Sequence, residues 1–415
     1  MRSVADVVAP PRLGVGFRWL IASSWTSNLG DGLALAAGPL LVASQTDDAF
    51  LISMAALVQW LPKLVLALGA GAVSDRLDRR AIVVTVNLAR ALVLAVVVVA
   101  VLTGAVSIAL VLAALLLLAS AETFADNAAA TLLPMLVARR DLPLGNARLM
   151  TGVVTLNQLA GPPLGALLFL AGAASPFAAQ AVLVVLGALL ASRLVLPAHG
   201  RAGTSRQRLR HEVAEGLSWV RRSPAVRTLV LTITIFNVTY GAAWSVLVLY
   251  ALERLDAGSI GFGLLTTAIA AGGVGGTFAY GAITRRVSLG NIMRVGLFIE
   301  TLTHLGLALT TSLPVALAIM VVFGAHAFVW GTTSTAVRQR AVPSALQGRV
   351  GSVNTVGTYG GLVLGAAIGG VLAQHLGVTA PFWFAFAGSA VFLVLIWPQL
   401  VHIAHDDRAH DDKGP

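Results

Sequence analysis

The sequence predicts an all-α integral membrane protein with twelve transmembrane helices in two pseudo-symmetric six-helix bundles. Of its 415 residues, 57% are hydrophobic and 11% are charged, and the mean hydropathy is +0.86. A soluble domain carries about a quarter charged residues, so this composition excludes an ordinary soluble protein. The other two observations are a regular succession of long apolar segments and a set of short sequence echoes between the two halves of the chain.

Twelve apolar segments approach or exceed the length of about 20 residues that crosses a bilayer. The first six are 17–44, 50–73, 81–103, 107–136, 149–172 and 175–196. The second six are 228–252, 259–284, 291–311, 314–337, 350–373 and 378–402. They predict an N-terminal bundle over 1–196 and a C-terminal bundle over 228–402. We expect 403–415 to be a disordered cytoplasmic tail whose histidines are solvated and hold no metal.

One long hydrophilic connection, 197–227, separates the two groups of six segments. It is rich in arginine and serine. Four apolar residues recur in it at helical spacing, namely Leu209, Val213, Leu217 and Val220. This pattern predicts an amphipathic helix on the membrane surface.

The basic residues predict the orientation of the chain in the membrane. All lysines and arginines except Arg254, Lys63 and Arg90 fall on the side that holds the 197–227 connection and both termini. By the positive-inside rule that side is cytoplasmic. The net charge of +10 is therefore explained by topology, and we expect no nucleic-acid partner. No secretory signal is evident, so the first span is predicted to direct insertion.

The densest charge cluster of the first 130 residues is the short loop 71–80 between the second and third spans. Asp75 lies where the second helix should end, and a negative charge there is unfavourable to the helix dipole. It therefore needs a partner elsewhere in the molecule, which indicates a latch between moving parts.

Three short stretches recur in the same order in the second half of the chain. Residues 71–76 are echoed at 281–286, residues 157–166 at 361–370, and residues 175–177 at 380–382. Because transporters are commonly built from duplicated bundles, the echoes indicate two homologous halves.

These motifs resemble the major facilitator superfamily over nearly the whole chain, and within it the drug, macrolide and siderophore exporters that include the enterobactin exporter. Residues 71–80 are similar to the superfamily's loop signature Gly-x-x-x-Asp-Arg-x-Gly-Arg-Arg, with Asp78 at the position of its second glycine. Residues 157–166 are similar to the fifth-helix signature of antiporters, Gly-x-x-x-Gly-Pro-x-x-Gly-Gly. Its central residues are kept at Gly161, Pro162 and Gly165, while Asn157 and Ala166 replace its end glycines. Residues 27–31 and 339–350 also resemble this exporter branch.

The resemblance implies that Asp75 engages the start of the eleventh helix, near Arg349, when the cytoplasmic side is closed. The residues of this cytoplasmic gate would be Gly71, Asp75, Arg76, Arg79, Arg80 and Arg349. We expect Asp75→Asn to reduce the transport rate while leaving substrate affinity largely unchanged. Undiminished transport by the Asp75→Asn variant in vesicles would mean that the loop only fixes the topology of the chain.

Several ionisable residues fall inside the predicted spans, where each costs several kcal/mol unless it meets water, protein or a partner. The residues predicted to carry protons are Asp31, Glu122, Asp126, Glu300 and His304. The predicted charge partners are Lys63 and Arg90. His326 is the remaining ionisable residue inside a predicted span. Glu122 and Asp126 share a helix face, and two neighbouring carboxylates bind a proton more readily than one alone. His304 follows Glu300 by one helical turn.

Structural interpretations of the acids and of His326 remain open. Asp31 is explained equally well as an acid that hydrogen-bonds a neighbouring helix. Asp126 is more simply explained as a partner of arginines in a neighbouring loop, and His326 as a hydrogen-bonded packing residue.

The two cations inside spans also have alternative partners. Arg90 and Glu300 occupy related positions in the two halves, so we hypothesise an ion pair between them. The alternative is that Arg90 neutralises Asp31 or Glu122. For Lys63 we prefer Asp31 as the partner over the attraction of an anionic substrate.

Six aromatic and amide side chains are candidates for binding an amphipathic substrate in a cavity. They are Gln59, Trp60, Asn237, Tyr240, Trp244 and Trp330. Other tryptophans near span ends are better explained as interfacial anchors.

The sequence and the resemblance together predict a proton-coupled secondary transporter that exports small amphipathic or hydrophobic compounds by alternating access. We expect a monomer in the cytoplasmic membrane, with no cofactor. Cysteine is absent, which excludes disulfides and thiolate metal sites, and neither Lys63 nor Lys413 lies in a phosphate loop. No nucleophile motif indicates an enzyme. An importer or a lysophospholipid flippase of the same fold remains the alternative, and a non-transporting scaffold is a weaker one.

Overall fold

The computed structural model describes residues 10–66, 77–196, 209–343 and 346–398. Within these ranges the chain forms helices and turns and no β-strand. Gly71, Asp75, Arg76 and the tail 403–415 lie outside the described residues, so what the sequence predicts for them stays a prediction.

The described residues before the long connection form seven α-helices. They are α1 (Gly14–Ala43), α2 (Ala49–Val65), α3 (Arg79–Leu102), α4 (Ile108–Leu136), α5 (Leu142–Gly152), α6 (Gly161–Ala171) and α7 (Ser175–Ser192). A π-helical stretch, Val153–Ala160, joins α5 to α6, so that these elements form one continuous membrane-crossing segment.

The next seven helices begin in the long connection between the two groups of spans. They are α8 (Leu209–Arg222), α9 (Pro224–Trp244), α10 (Gly258–Thr284), α11 (Leu289–Leu309), α12 (Leu313–Ala341), α13 (Gln347–Leu376) and α14 (Ala380–Ile396). A short helical turn, Leu247–Leu249, and a π-helical turn, Tyr250–Arg254, follow α9.

In the described part of the chain, nine helical segments are long and apolar enough to cross a bilayer. The apolar helices α2 and α14 are shorter, at 17 residues each. The helices do not correspond one to one with twelve spans, because the predicted fifth span is divided between α5 and α6 and the 197–227 connection adds α8. The multi-pass character is nevertheless clear.

The helices group into two compact units. The first contains α1, α3 to α7 and the end of α2, together with Phe262–Thr267 of α10. The second contains Asp48–Leu57 at the start of α2, and α8 to α14 apart from that short stretch of α10.

In the first unit, α1 lies directly against α6. A Cβ atom added to Gly161 would lie 2.4 Å from the Cα atom of Gly32, and one added to Gly165 would lie 2.3 Å from the carbonyl oxygen of Leu33. No side chain fits at such distances, so these two positions of the fifth-helix motif require glycine.

The second unit repeats this packing between α9 and α13. A Cβ atom added to Gly365 would lie 2.2 Å from the carbonyl oxygen of Val238, and one added to Gly369 would lie 2.2 Å from that of Ala242. The echo between 157–166 and 361–370 therefore marks the same close helix contact in both units.

Asp78 begins α3 as its N-cap. Its Oδ1 accepts hydrogen bonds from the backbone N–H groups of Arg80 at 2.8 Å and Ala81 at 3.1 Å. Aspartate is among the best N-cap residues, because its carboxylate satisfies amides that the helix leaves unpaired. The aspartate that stands in place of the signature's glycine therefore caps the start of α3. Arg80 also holds this end in place, since its Nη1 donates to the carbonyl of Leu194 at 3.0 Å.

Replacing Asp78 by alanine is expected to lower the free energy of unfolding by about 1 kcal/mol, because two amides of α3 lose their acceptor. Thermal unfolding of the purified protein in detergent would show this as a lower apparent Tm. Asp78→Asn is the matched control, because it keeps a side-chain acceptor and should remain close to wild type. Equal stability of Asp78→Ala and wild type would contradict the capping role.

The amphipathic pattern of the connection does form a helix, α8, and this helix packs against the start of α13. Glu215 and Arg349 form an ion pair between their side chains. A Cβ atom added to Gly216 would lie 2.4 Å from the carbonyl oxygen of Arg349, and Val220 is buried while Leu217 is exposed. Sequence reasoning did not find Glu215 as the partner of Arg349.

Candidate functional site

Two groups of ionisable side chains lie inside apolar helices, one group in each unit. The first unit holds Asp31 on α1, Lys63 on α2, Arg90 on α3, and Glu122 and Asp126 on α4. The second unit holds Glu300 and His304 on α11 and His326 on α12. All eight residues were identified from the sequence, but the structure decides their partners.

Arg90 pairs with Asp31. Its Nη2 donates to Asp31 Oδ1, and its Nη1 donates to Asn87 Oδ1 at 3.2 Å. Gln180 approaches the same Asp31 oxygen at 3.5 Å. The Arg90 side chain is 3% exposed, and a guanidinium buried so deeply needs a carboxylate because it stays protonated. The hypothesised pairing of Arg90 with Glu300 is wrong, and the alternative with Asp31 is the observed one.

Lys63 pairs with Glu122. The predicted pairing of Lys63 with Asp31 is wrong. Lys63 Nζ lies 3.4 Å from Glu122 Oε1, and both side chains are about one-third exposed, at 31% and 30%. The reason is that Arg90 already neutralises Asp31, whereas Glu122 has no arginine of its own among the ion pairs of the described residues. Asp126 lies one helical turn after Glu122 and is exposed.

A double-mutant cycle on Lys63→Gln and Glu122→Gln is expected to give a coupling free energy of about 0.5–1 kcal/mol, because partial exposure screens the pair. Chemical unfolding of the two single variants and the double variant would measure it. Strictly additive effects would mean that the pair contributes nothing to stability and that Lys63 is held in place by other contacts.

Glu300 lies between two histidines. Its Oε1 is 3.0 Å from His304 Nε2, one turn along α11, and its Oε2 is 3.5 Å from His326 Nε2 on α12. The three side chains are 1%, 0% and 2% exposed. The pairing of Glu300 with His304 agrees with their spacing in the sequence. His326 approaches Glu300 from another helix, α12.

Five aromatic rings pack together beside this cluster; we call them the aromatic ladder. They are Phe236, Tyr240 and Trp244 on α9 and Phe323 and Trp330 on α12. Within the ladder, the ring centroids of Tyr240 and Trp244 are 4.3 Å apart, and those of Phe236 and Trp330 are 5.7 Å apart.

The ladder contacts both histidines of the cluster. The Trp244 ring meets His304 edge to face at 6.0 Å, and Phe323 meets His326 at 6.0 Å. Three of the six substrate-binding candidates, Tyr240, Trp244 and Trp330, are therefore brought together next to Glu300.

The other three substrate-binding candidates lie elsewhere or play a local role. Asn237 is half-buried on α9, and its Nδ2 donates to the carbonyl of Ile233 at 2.7 Å. Gln59 and Trp60 are half-buried on α2, in the first unit. Phe236 and Phe323 were missed because phenylalanine in an apolar segment carries no signal that separates a site from a lipid-facing surface.

A cavity of about 380 Å³ lies along one face of α12. It is lined by Gly331, Thr332, Thr335, Ala336 and Gln339, which recur at helical spacing and include two hydroxyl groups and one amide. No sequence motif pointed to it. Among the described residues no group of three or more His, Asp or Glu side chains is arranged to hold a metal ion.

Three features are typical of a multi-pass membrane transporter: paired charges inside apolar helices, a π-helical stretch within the predicted fifth span, and repeated glycine contacts in the two units. Solved structures of transporters share this fold. A bacterial homologue of the iron transporter ferroportin, in its inward-facing state, matches with a TM-score of 0.75 over 93% of this chain and 98% of its own, at 16% identity. The nucleoside transporter NupG matches with a TM-score of 0.71 over 94% and 99%, at 13% identity.

The family model described as transmembrane secretion effector matches residues 5–412. The chain therefore belongs to this family of major facilitator transporters, and it is a transporter rather than an enzyme. Among its relatives, the multidrug efflux pump Tap of Mycolicibacterium fortuitum is 30% identical over 385 residues, covering 88% of this chain and 90% of the pump. Tap of Mycobacterium tuberculosis H37Rv is 30% identical over 364 residues, covering 85% and 86%.

Proposed function

We propose that this transporter exports small amphipathic or hydrophobic compounds from the cytoplasm in exchange for protons, by alternating access. The observation that carries the proposal is the Glu300–His304–His326 cluster, a set of titratable side chains almost completely buried in membrane-crossing helices. Ionisable groups are costly there and are commonly part of ion or proton pathways. The relatives named multidrug efflux pumps support export as the direction.

The topology belongs to the same proposal. Twelve spans would form two six-helix bundles, over 1–196 and 228–402, joined by the cytoplasmic connection 197–227. Both termini would be cytoplasmic, and the protein would work as a monomer in the lipid bilayer of the cytoplasmic membrane.

The site residues are proposed in three roles. Asp31, Glu122, Asp126, Glu300 and His304 would take part in proton coupling, with Lys63 and Arg90 as their charge partners. The 71–80 loop and Arg349 would form the cytoplasmic gate. Glu215 binds Arg349 from α8, so opening or closing that gate would involve α8 as well.

Inverted membrane vesicles that contain the protein test the proposal. A panel of cationic, neutral and anionic fluorescent amphipathic compounds would be supplied outside, and respiration would acidify the interior. We expect accumulation of at least one compound that stops when nigericin collapses the pH gradient. Accumulation that survives loss of the gradient would remove proton coupling, and movement of substrate only in the opposite direction would favour the importer.

A further inference from the structure

Helix α8 has two faces of different character. Gly216 and Val220, one turn apart, are buried, and Gly216 lies against the backbone of Arg349 at the start of α13. The residues that recur at helical spacing on the other side are all exposed, namely Ala214, Leu217, Ser218, Arg221 and Arg222. One face of α8 thus belongs to the core of the second unit, and the other is available to a partner.

The packing of α8 fixes it at the ends of membrane-crossing helices. α9 begins at Pro224, directly after α8 ends at Arg222, and α13 begins at Gln347, next to the Arg349 that binds Glu215. An apolar cluster connects α8 to these helix ends, and it consists of Val220, Val226, Val230, Val342, Val350 and Val353, with Trp219 packed against it. An amphipathic helix held at the start of two spans lies at the bilayer surface, where the lipid headgroups are.

Three arginines gather at the C-terminal end of α8. Arg221 and Arg222 are its last residues, and Arg227 reaches back from the first turn of α9, where its Nη1 donates to the carbonyl of Arg221 at 3.3 Å. All three are exposed, and none forms an ion pair with an acidic side chain among the residues that the structure describes. Glu215 lies on the same helix, but Arg349 already binds it. The three guanidinium groups therefore keep N–H donors for an outside anion.

The charge and position of this surface indicate its partner. Basic side chains at the bilayer surface attract anionic lipids, and a guanidinium group binds phosphate oxygens through paired hydrogen bonds. Leu217, on the same face and 38% exposed, can contact the upper part of an acyl chain. We propose that Arg221, Arg222 and Arg227 form a binding site for the phosphate group of an anionic phospholipid. This surface lies outside the candidate transport site, so the inference does not depend on the proposed function.

Native mass spectrometry of the whole protein in detergent tests the site. Phosphatidylglycerol and phosphatidylcholine with identical acyl chains would be titrated separately, and the dissociation constant of the first bound lipid would be measured for each. We expect phosphatidylglycerol to bind at least about tenfold more tightly, because phosphatidylcholine carries an ammonium group that the arginines repel. The preference should decrease as the salt concentration rises. Equal affinity for the two lipids would overturn the proposal.

Two double variants locate the site on α8. Arg221→Gln/Arg222→Gln should reduce the preference for phosphatidylglycerol at least about fivefold, because two of the three cations are lost. Arg139→Gln/Arg140→Gln is the matched control, since it removes two neighbouring exposed arginines from the first unit and should keep the wild-type preference. An equal loss in both double variants would mean that net charge alone attracts the lipid, and would overturn a site on α8.

A charge-conserving variant separates lipid binding from a structural role. Arg221→Lys/Arg222→Lys keeps both positive charges and should retain most of the preference. If Arg221→Gln/Arg222→Gln does not fold, as judged by its apparent Tm, Arg227→Gln replaces it and should lower the preference about threefold. An unchanged preference in that variant would contradict the proposal.

Two soluble anions distinguish a lipid from other occupants of this surface. Energy transfer from tryptophan to dansyl-labelled phosphatidylglycerol would report binding, while inorganic phosphate or polyglutamate is added at constant ionic strength. Neither should displace the lipid, because neither has an acyl chain to contact Leu217. Displacement by phosphate would identify a site for a soluble phosphate, and displacement by polyglutamate a site for an acidic protein segment. Either result would overturn the phospholipid as the occupant.

Discussion

Replacing Arg90 by methionine is expected to lower the free energy of unfolding by about 3–5 kcal/mol, the largest effect of any single charge removal in the first unit. The reason is that Asp31 would remain in an apolar helix contact without its counter-ion. Apparent Tm and the monodisperse fraction after extraction in detergent would measure the loss, and transport should fall with them.

The double variant Asp31→Asn/Arg90→Met separates this cost from simple loss of packing. It removes both charges together, so we expect it to recover most of the stability that Arg90→Met loses. Arg193→Met, an exposed arginine just after α7, is the control for removing a positive charge and should stay near wild type. A double variant as unstable as Arg90→Met would mean that the ion pair is not the cause.

Replacing Gly165 by valine is expected to separate α1 from α6 and to abolish transport. The Cβ atom alone would lie 2.3 Å from the carbonyl oxygen of Leu33, and that backbone cannot move without displacing α1. Overpacking of this kind costs about 1–3 kcal/mol or more. Transport in vesicles and apparent Tm in detergent would report both consequences.

The repeated packing offers a second test of the same argument. Gly369→Val should have a similar effect, because its Cβ atom would meet the carbonyl oxygen of Ala242 at 2.2 Å. Gly275→Val is the control, since a Cβ atom there meets nothing within 4 Å. Normal function of both Gly165→Val and Gly369→Val would show that the close helix contacts are not needed.

Some parts of the candidate site were readable from sequence because they depend on spacing along one helix. Glu300 and His304 are one turn apart, so their contact follows from the geometry of α11. Asp78 carries a helix-start signal that sequence alone could have identified, since aspartate before a helix commonly caps it. His326 gave no such signal, because it meets Glu300 only through the packing of α12 against α11.

The sequence by itself determined the membrane class, the repeat of the fifth-helix motif and the set of ionisable residues inside apolar segments, because hydropathy and internal repetition are properties of the chain. The tertiary structure decided which residues meet. Arg90 binds Asp31, Lys63 binds Glu122, and His326 reaches Glu300, and each partner depends on how one helix is rotated against the next. The packing of the helices against one another sets those rotations, and the positions of the residues along the chain do not show them.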